Sequence, residues 1–501
     1  MTDWIAAAAA LTPETRLFID GSFADASSGE TFDTIAPRDG SVITRVAAAG
    51  EADVDRAARA AARAFDSGVW SRADRRERQR VLVRFSDLML ENLEELALLE
   101  SLDSGHPIGD ALRVDVPNAA RTIRWYAEAL DKLYDEIAPT PENALALIRR
   151  EPLGVIGAVV PWNYPLIISA WKIGPALAAG NSVVLKPAEL TSLSALKLAE
   201  LAAEAGIPAG VFNVVPGLGR VAGQALGRHP LVDKVTFTGS PAVGKGFLTY
   251  AGESNGKQVS LELGGKSAQL VLADAPDLDA AASSIAWGIF YNAGQTCHGG
   301  SRLIVDERVH DDLVEKVIAV GRTLVLGDPL LEGTQIGTIA SRVQLDRVLE
   351  YVEVARAEGV TVYGGEQVRP AGLDDGFYIE PTVFDHVDNA GRIGQEEIFG
   401  PALSVSTVRG AAEGVRVVNE SAYGLAASVW TSDITTAHRI ARDLRAGTVW
   451  VNTYDVADVI TPFGGFKESG SGRDRSLHAL DAYTALKTTW INLESAPGSG
   501  Y

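Results

Sequence analysis

From Gly154 onward, short β-branched runs alternate with longer stretches whose apolar residues recur at helical spacing, the pattern of a parallel sheet covered by helices. GVIGAVV (154–160) predicts a strand, and the proline-containing PLIISAWKIGPALAAG after it predicts a buried crossover helix. SVVLKP (182–187) is the next strand. Ser192 then stands as N-cap to SALKLAELAAEAG, which closes on Gly206 as C-cap. VFNVVP (211–216) and KVTFTG (234–239) repeat the strand unit, so this segment reads as a doubly wound, Rossmann-like dinucleotide-binding domain.

Ahead of it, residues 52–66 and 74–101 carry Ala, Arg, Leu and Glu at helical spacing, and the first 135 residues read as a helical layer against that sheet. A second strand–helix succession starts with SAQLVL (267–272) and runs to about residue 470 as a separate α/β domain. ALALIRREP (144–152) and ALKTTWINL (485–493) belong to neither. Each reads as an extended, partly apolar strand that one subunit offers to another. No internal repeat or low-complexity linker interrupts the chain.

Length agrees with this division, because 501 residues exceed what one hydrophobic core usually supports. Charge narrows the partners: 65 acidic against 45 basic side chains give a net charge of −20, which repels nucleic acid and anionic lipid surfaces. The opening run from Trp4 to Leu11 is apolar but short and follows Asp3 instead of a basic region, so it reads as a helix or frayed tail rather than a secretory signal. No window offers the roughly twenty apolar residues of a membrane span. The expectation is a cytoplasmic protein. A single cysteine, Cys297, excludes an intrachain disulfide and a thiolate-rich metal site, and no metal is expected.

Candidate chemistry begins with FTGSPAVGK, where Gly239 and Gly244 bracket a strand-to-helix turn that lets backbone N–H groups approach a pyrophosphate. Glycine turns of this kind are common, and Lys186 and Glu189 strengthen this one. Both follow the end of the neighbouring strand, the edge where open α/β sheets bind ligands, and there they can hydrogen-bond ribose hydroxyls. The bland alternative for the pair is solvated surface charge. Cys297 lies in YNAGQTCHGGSR, whose glycines favour an open, reactive thiol over a buried small hydrophobe. Glu262, in VSLELGGKS, is a carboxylate in apolar surroundings and fits a base of raised pKa. Asn163, between the prolines of PWNYP, is either a turn residue or a neutral oxyanion donor.

Together, PWNYP, SVVLKPAE, FTGS, LELGGKS, GQTC, EEIFGP and PFGGFKESGSGR resemble the signature stretches of the aldehyde dehydrogenase superfamily, in its order and spacing over nearly the whole chain. The resemblance implies an α/β fold with a Rossmann-like NAD-binding domain (1–135 and 153–265), an α/β catalytic domain (266–470) and a small β oligomerisation element (136–152 and 471–501). It implies NAD-dependent oxidation of an aldehyde to the carboxylic acid through a thioester, in a homodimer or homotetramer. Cys297 would be the nucleophile, Glu262 the base that activates water, and Asn163 the oxyanion donor with the Cys297 N–H. Lys186 and Glu189 would hold the adenosine ribose, with Glu189 favouring NAD over NADP. Trp162, Gly239, Ser240 and Gly244 would lie along the pyrophosphate, and Glu397, Phe399 and Leu263 at the nicotinamide end.

The C-terminal SGSGRDRSLHALDAYTALKTTWINL and IRWYAEALDK (123–132) are most similar to the branch that oxidises aminoaldehydes and γ-glutamyl-aminobutyraldehyde in polyamine breakdown. Tyr164, Trp171 and Tyr454 would line the aldehyde channel, the last within YDVADVIT (454–461), where relatives vary freely. Asp115 has two readings: a carboxylate facing that channel, or a helix-start aspartate two residues before Pro117. Three rivals remain. A thioester hydrolase or esterase would leave Lys186, Glu189 and Glu397 without purpose; a non-catalytic relative would be expected to lack the nucleophile or base; a coenzyme A-acylating relative typically lacks Glu262.

Overall fold

The computed structural model describes residues 2–493, so residues 494–501 of the expected oligomerisation element lie outside the described residues. Five parallel strands form the centre of the first sheet, in the order Gln258–Glu262, Lys234–Thr238, Val155–Val159, Ser182–Lys186 and Phe212–Val214. The chain starts in the middle at Val155, builds outward to Phe212, then crosses back to Lys234 on the other side. That reversal opens a crevice beyond the carboxyl ends of Val155–Val159 and Lys234–Thr238, the place where doubly wound sheets bind their ligands.

The N-terminal region differs from the expected helical layer. Leu17–Ile19 and Ser22–Ala24 extend the first sheet as antiparallel edge strands, and Thr31–Ile35 pairs with Val42–Ala47 in a separate hairpin. Helices Glu51–Ser67, Arg75–Glu91 and Leu93–Ser104 follow. Three-residue strands carry too little periodicity to stand out among helical patterns. Trp4–Ala10 is a helix, with Asp3 accepting a hydrogen bond from the Ala6 N–H as its cap.

The crossover helix Pro165–Ala179 is almost wholly buried and ends on Gly180 at φ 100°. Helix Leu193–Ala205 ends on Gly206 as expected, but its start is different. The Ser192 hydroxyl donates backward to the Ala188 carbonyl, and the Leu193 N–H is instead capped by Asp103 from helix Leu93–Ser104. A buried carboxylate brought by tertiary packing takes the place of the local cap.

The second sheet also has seven strands, six of them parallel, with Thr361–Tyr363 antiparallel at one edge. Its Ala268–Val271 strand follows Gln258–Glu262 of the first sheet after a five-residue turn, 263–267, so the sheets are joined directly at the crevice. The remaining strands, Glu136–Ala138, Ala144–Pro152 and Thr484–Asn492, form a three-stranded antiparallel sheet whose outer strand is exposed beyond Thr484. Before reaching it, the chain passes back over the first sheet. Ser471 and Gly472 donate to the Leu261 carbonyl, and Leu263 donates to that of Ser469.

Candidate active site

The switch-point crevice holds a cleft of about 200 Å³, and its walls unite segments far apart in sequence. Trp162 and Asn163 come from the loop after Val155–Val159, Gly239 and Ser240 from the end of Lys234–Thr238, and Leu263 from the inter-sheet turn. Cys297, Glu397 and Phe399 come from the second domain. Trp162 and Phe399 meet edge to face at 5.3 Å. Gly265 N–H donates to Glu397 Oε1 at 2.9 Å, and a Cβ on Gly264 would stand 2.1 Å from Glu397 Oε2. Burial pushes the Glu397 carboxyl up to about 7.

The glycines of FTGSPAVGK do something other than expected. Gly239 N–H is already bonded to the Glu262 carbonyl, and Gly244 N–H to Ser240 inside the helix. A Cβ on Gly244 would come within 2.5 Å of Leu263, so this glycine permits close helix–strand packing. Helix Pro241–Gly252 still opens at the cleft beside Ser240, with the unpartnered first-turn N–H groups every helix start has. Lys186 and Glu189 do not line the cleft but stand at the end of the adjacent strand, 3.1 Å apart. Burial draws the Lys186 ammonium down; burial would raise the Glu189 carboxyl, but Lys186 and the Gly219 N–H carry it below its usual value.

Cys297 is partly exposed on a constrained loop. Asn292, Ala293 and Gly294 sit in succession in the left-handed region, at φ 49°, 50° and 72°, which disfavours the first two. A Cβ on Gly294 would run into the Gly400 carbonyl at 2.0 Å. Gln295 clamps the loop: its amide donates to the Asn292 and Thr338 carbonyls and accepts from the Ala340 N–H. Asn163 Nδ2 donates to the Gln295 carbonyl at 2.8 Å. One amide proton therefore fixes the Asn163 side chain, leaving the second for another acceptor.

Glu262 is 3% exposed, and neither carboxylate oxygen has a protein hydrogen-bond partner. It does not line the cleft with Cys297. Its Oε1 instead faces Gly464 and Gly472, where a Cβ at either position would approach to 2.8 Å. Burial first, and Asp474 second, hold the carboxyl well above its ordinary value.

Among the residues expected to line the substrate channel, Tyr164 bonds Thr296 through their hydroxyls at 2.8 Å. Trp171 packs against Phe463 at 5.2 Å with the Arg475 guanidinium 5.1 Å from its ring. The Tyr454 hydroxyl donates to the His298 carbonyl at 2.5 Å, making it a strut for the nucleophile loop. Asp115 makes no capping hydrogen bond and has helical backbone angles, so the helix-start reading fails. Its side chain is buried, with Oδ2 2.5 Å from His106 Nδ1 and Oδ1 without a partner. The His106 ring stands edge-on to both Tyr164 and Tyr291.

Sequence reading passed over His106, Gln295, His298, Asp455 and Arg475. His298 had one signal, its place directly after the sole cysteine; Asp455 lies within the 454–461 stretch that was singled out for its departure from relatives. Gln295 stands in GQTC and Arg475 in SGSGRDR, but their roles rest on contacts with Thr338 and Trp171 far along the chain, and nothing in the sequence pairs His106 with Asp115.

A model of the aldehyde dehydrogenase family matches residues 23–489, and the chain belongs to that family. Its relatives include the NADP/NAD-dependent aldehyde dehydrogenase PuuC of Escherichia coli K12, 48% identical over 492 residues that span 98% of both chains. The gamma-glutamyl-gamma-aminobutyraldehyde dehydrogenase structure from Burkholderia cenocepacia is similar with a TM-score of 0.96 at 54% identity, covering 98% of this chain and 99% of that one. The AldA indole-3-acetaldehyde dehydrogenase of P. syringae, solved as a mutant with NAD+ and IAA, has a TM-score of 0.97 at 51% identity, covering 98% and 99%.

Proposed function

We propose that this protein oxidises an aldehyde, of the aminoaldehyde class, to its carboxylic acid with NAD. The observation that carries this reading is the shared cleft, which gathers the sole cysteine, an amide donor, a helix start and the half-buried Glu397 carboxylate at the switch point of a dinucleotide-type sheet. Cys297 adds to the carbonyl carbon, and the free Asn163 amide proton with the Cys297 N–H stabilises the oxyanion. Bound NAD supplies the hydride acceptor. Its adenosine ribose fits Lys186 and Glu189, its pyrophosphate Trp162 and the helix start at Ser240, and its nicotinamide end Glu397, Phe399 and Leu263. The crevice, and the glycine at 264 whose Cβ would collide with Glu397, suit a ligand lying flat against backbone. Glu262 then turns toward Cys297 and takes a proton from the water that hydrolyses the thioester.

Residues 1–135 with 153–265 serve as the NAD-binding domain, 266–470 as the catalytic domain, and 136–152 with 471–501 in oligomerisation. The exposed apolar Ile137, Leu486 and Trp490 on the three-stranded sheet support a homodimer or homotetramer. Among the described residues no helix is long and apolar enough to cross a membrane; the free thiol and acidic charge fit a cytoplasmic enzyme. The aminoaldehyde preference rests on Asp115, whose Oδ1 has no partner while its Oδ2 holds His106, the ring set edge-on to Tyr164 and Tyr291, and this suits a substrate ammonium. NADH formation at 340 nm over aminoaldehydes, aliphatic and aromatic aldehydes tests it, with Cys297→Ser as control. Turnover at full rate by that variant defeats the mechanism, and equal kcat/KM across the panel defeats the preference.

A further inference from the structure

The Cys297 thiol has a histidine beside it. His298 Nδ1 lies 3.7 Å from Sγ, within reach of a sulfur hydrogen bond, while His298 Nε2 lies 2.6 Å from Asp455 Oδ1. The imidazole is flanked by Phe463, edge-on at 5.4 Å, and Trp450 at 6.2 Å, and Tyr454 anchors the backbone through the His298 carbonyl. An ionised carboxylate accepts only, so Nε2 carries a proton toward Asp455 and Nδ1 presents its lone pair to the thiol. Glu262, by contrast, is buried away from the cleft against Gly464 and Gly472.

The geometry points to His298 as a catalytic residue that takes the Cys297 thiol proton, with Asp455 as its positioning residue, so that the nucleophile rests as a thiolate–imidazolium pair. This rests on the reading of Cys297 as nucleophile. The proton moves from Sγ to Nδ1, leaving one negative charge on sulfur and one positive charge on the ring, with Asp455 anionic throughout. When the thiolate adds to the aldehyde, the sulfur–carbon bond forms and the carbonyl pair moves to the oxygen facing Asn163; the His298 proton stays where it is. Loss of a hydride to the bound cofactor leaves the thioester; as water hydrolyses it, Glu262 takes the water's proton, the carbon–sulfur bond breaks, and the electron pair returns to sulfur beside the waiting imidazolium. Glu262 is thereby left to act on water alone. Burial would lower the His298 imidazole, but Asp455, with Cys297 adding to it, carries it up to about 10.

The other titratable and charged groups facing the pair are Tyr454 on the Asp455 loop, Arg475 on the segment over Phe463, and Tyr164 at the start of helix Pro165–Ala179. Tyr291, with Asp110 and Asp115 behind it, completes the surroundings. Arg475, 5.1 Å from the Phe463 ring centre, is drawn to Asp455 and Cys297 and so favours the thiolate half of the pair.

Because Cys297 is the sole cysteine, alkylation by iodoacetamide reports this thiol alone. An ordinary thiol of pKa about 8.5 loses reactivity about a hundredfold between pH 8 and pH 6. The wild-type protein is expected to change less than about threefold across that range. His298→Gln, which keeps most of the ring's volume, is expected to restore the hundredfold fall, and Asp455→Asn to give an intermediate profile. A wild-type profile that already falls a hundredfold overturns the pair, whether or not the variants fold. Coincident wild-type and His298→Gln profiles, with NAD binding retained, overturn it as well. Steady NADH formation by Cys297→Ser overturns the nucleophile reading instead, and it does so without altering the alkylation result.

Discussion

The two sides of the crevice are built by different means. The side proposed for the cofactor is laid out along strand ends of the first sheet: Lys186 closes one parallel strand, and Trp162, Glu189 and Ser240 stand just beyond the ends of theirs. The side proposed for the aldehyde is assembled from side chains on separate loops and a helix, among them His106, Asp115, Tyr164, His298, Asp455 and Phe463, and it contains the buried His106–Asp115 pair. A ligand along a sheet edge meets mostly backbone and a few fixed positions, so its site tolerates change in the rest of the chain. A ligand among packed charged side chains depends on each of them, and its chemistry can change with single substitutions.

The largest expected effect falls on Glu262, buried behind the cleft between the two sides. Glu262→Gln should release one NADH per active site in a burst and then turn over about a hundred to a thousand times more slowly, since thioester formation does not need the base but hydrolysis does. In the wild type, a carboxyl raised by burial is ionised only above its raised value, so thioester hydrolysis should gain rate as pH rises well beyond the ordinary carboxylate range. Stopped-flow absorbance at 340 nm over a pH series checks both statements. A steady rate like the wild type's would place water activation on another group.

A smaller effect sharpens the aldehyde side. Asp115→Asn should raise KM for an aminoaldehyde about tenfold with little change in kcat, because a distant ammonium pairs equally in ground and transition states. A neutral aldehyde of the same length should be unaffected. Equal losses on both would mean that the His106 contact merely holds the channel in shape, and steady-state kinetics on the matched pair decides between them.

The smallest effect belongs to the cofactor side. Glu189→Gln removes a charge that repels a ribose 2′-phosphate, and about a threefold to tenfold narrowing of the NAD-to-NADP ratio of kcat/KM is expected for a partly solvated site. Glu189 already faces Lys186, which mutes its field. An unchanged ratio would move discrimination to other residues along the edge.

The same contrast explains what could be read from the chain. Parallel strands, the crossover helix and the second α/β domain follow from local periodicity, and Cys297, Glu262 and Asn163 stand in contiguous motifs because each sits at the end of a strand or in a tight loop. Periodicity does not reach the short strands of the first fifty residues. Nor does it reveal that Asp103 caps a helix 90 positions away, or that His298 has its carboxylate 157 positions on. Gly244 was legible as a glycine but not in its purpose, which is set by Leu263 packing from the inter-sheet turn. Buried polar partners are chosen by tertiary structure, and a sequence shows them only as isolated letters.

The segment that closes over Glu262 bears on how the enzyme comes into being. Leu261 and Leu263 receive their cover from Ser469, Ser471 and Gly472, about two hundred positions later, and the buried Lys172–Asp474 ion pair at 2.6 Å ties the same stretch to the crossover helix. Contacts of such separation carry a large loop-closure cost and form late relative to strand and helix neighbours. Helices and strand pairs close in sequence, such as Val155–Val159 with Ser182–Lys186, can thus be in place while the general base still faces water with an ordinary affinity for its proton. Activity should therefore appear after the bulk of the secondary structure during refolding, and the raised proton affinity of Glu262 is a property the chain acquires only at that final docking.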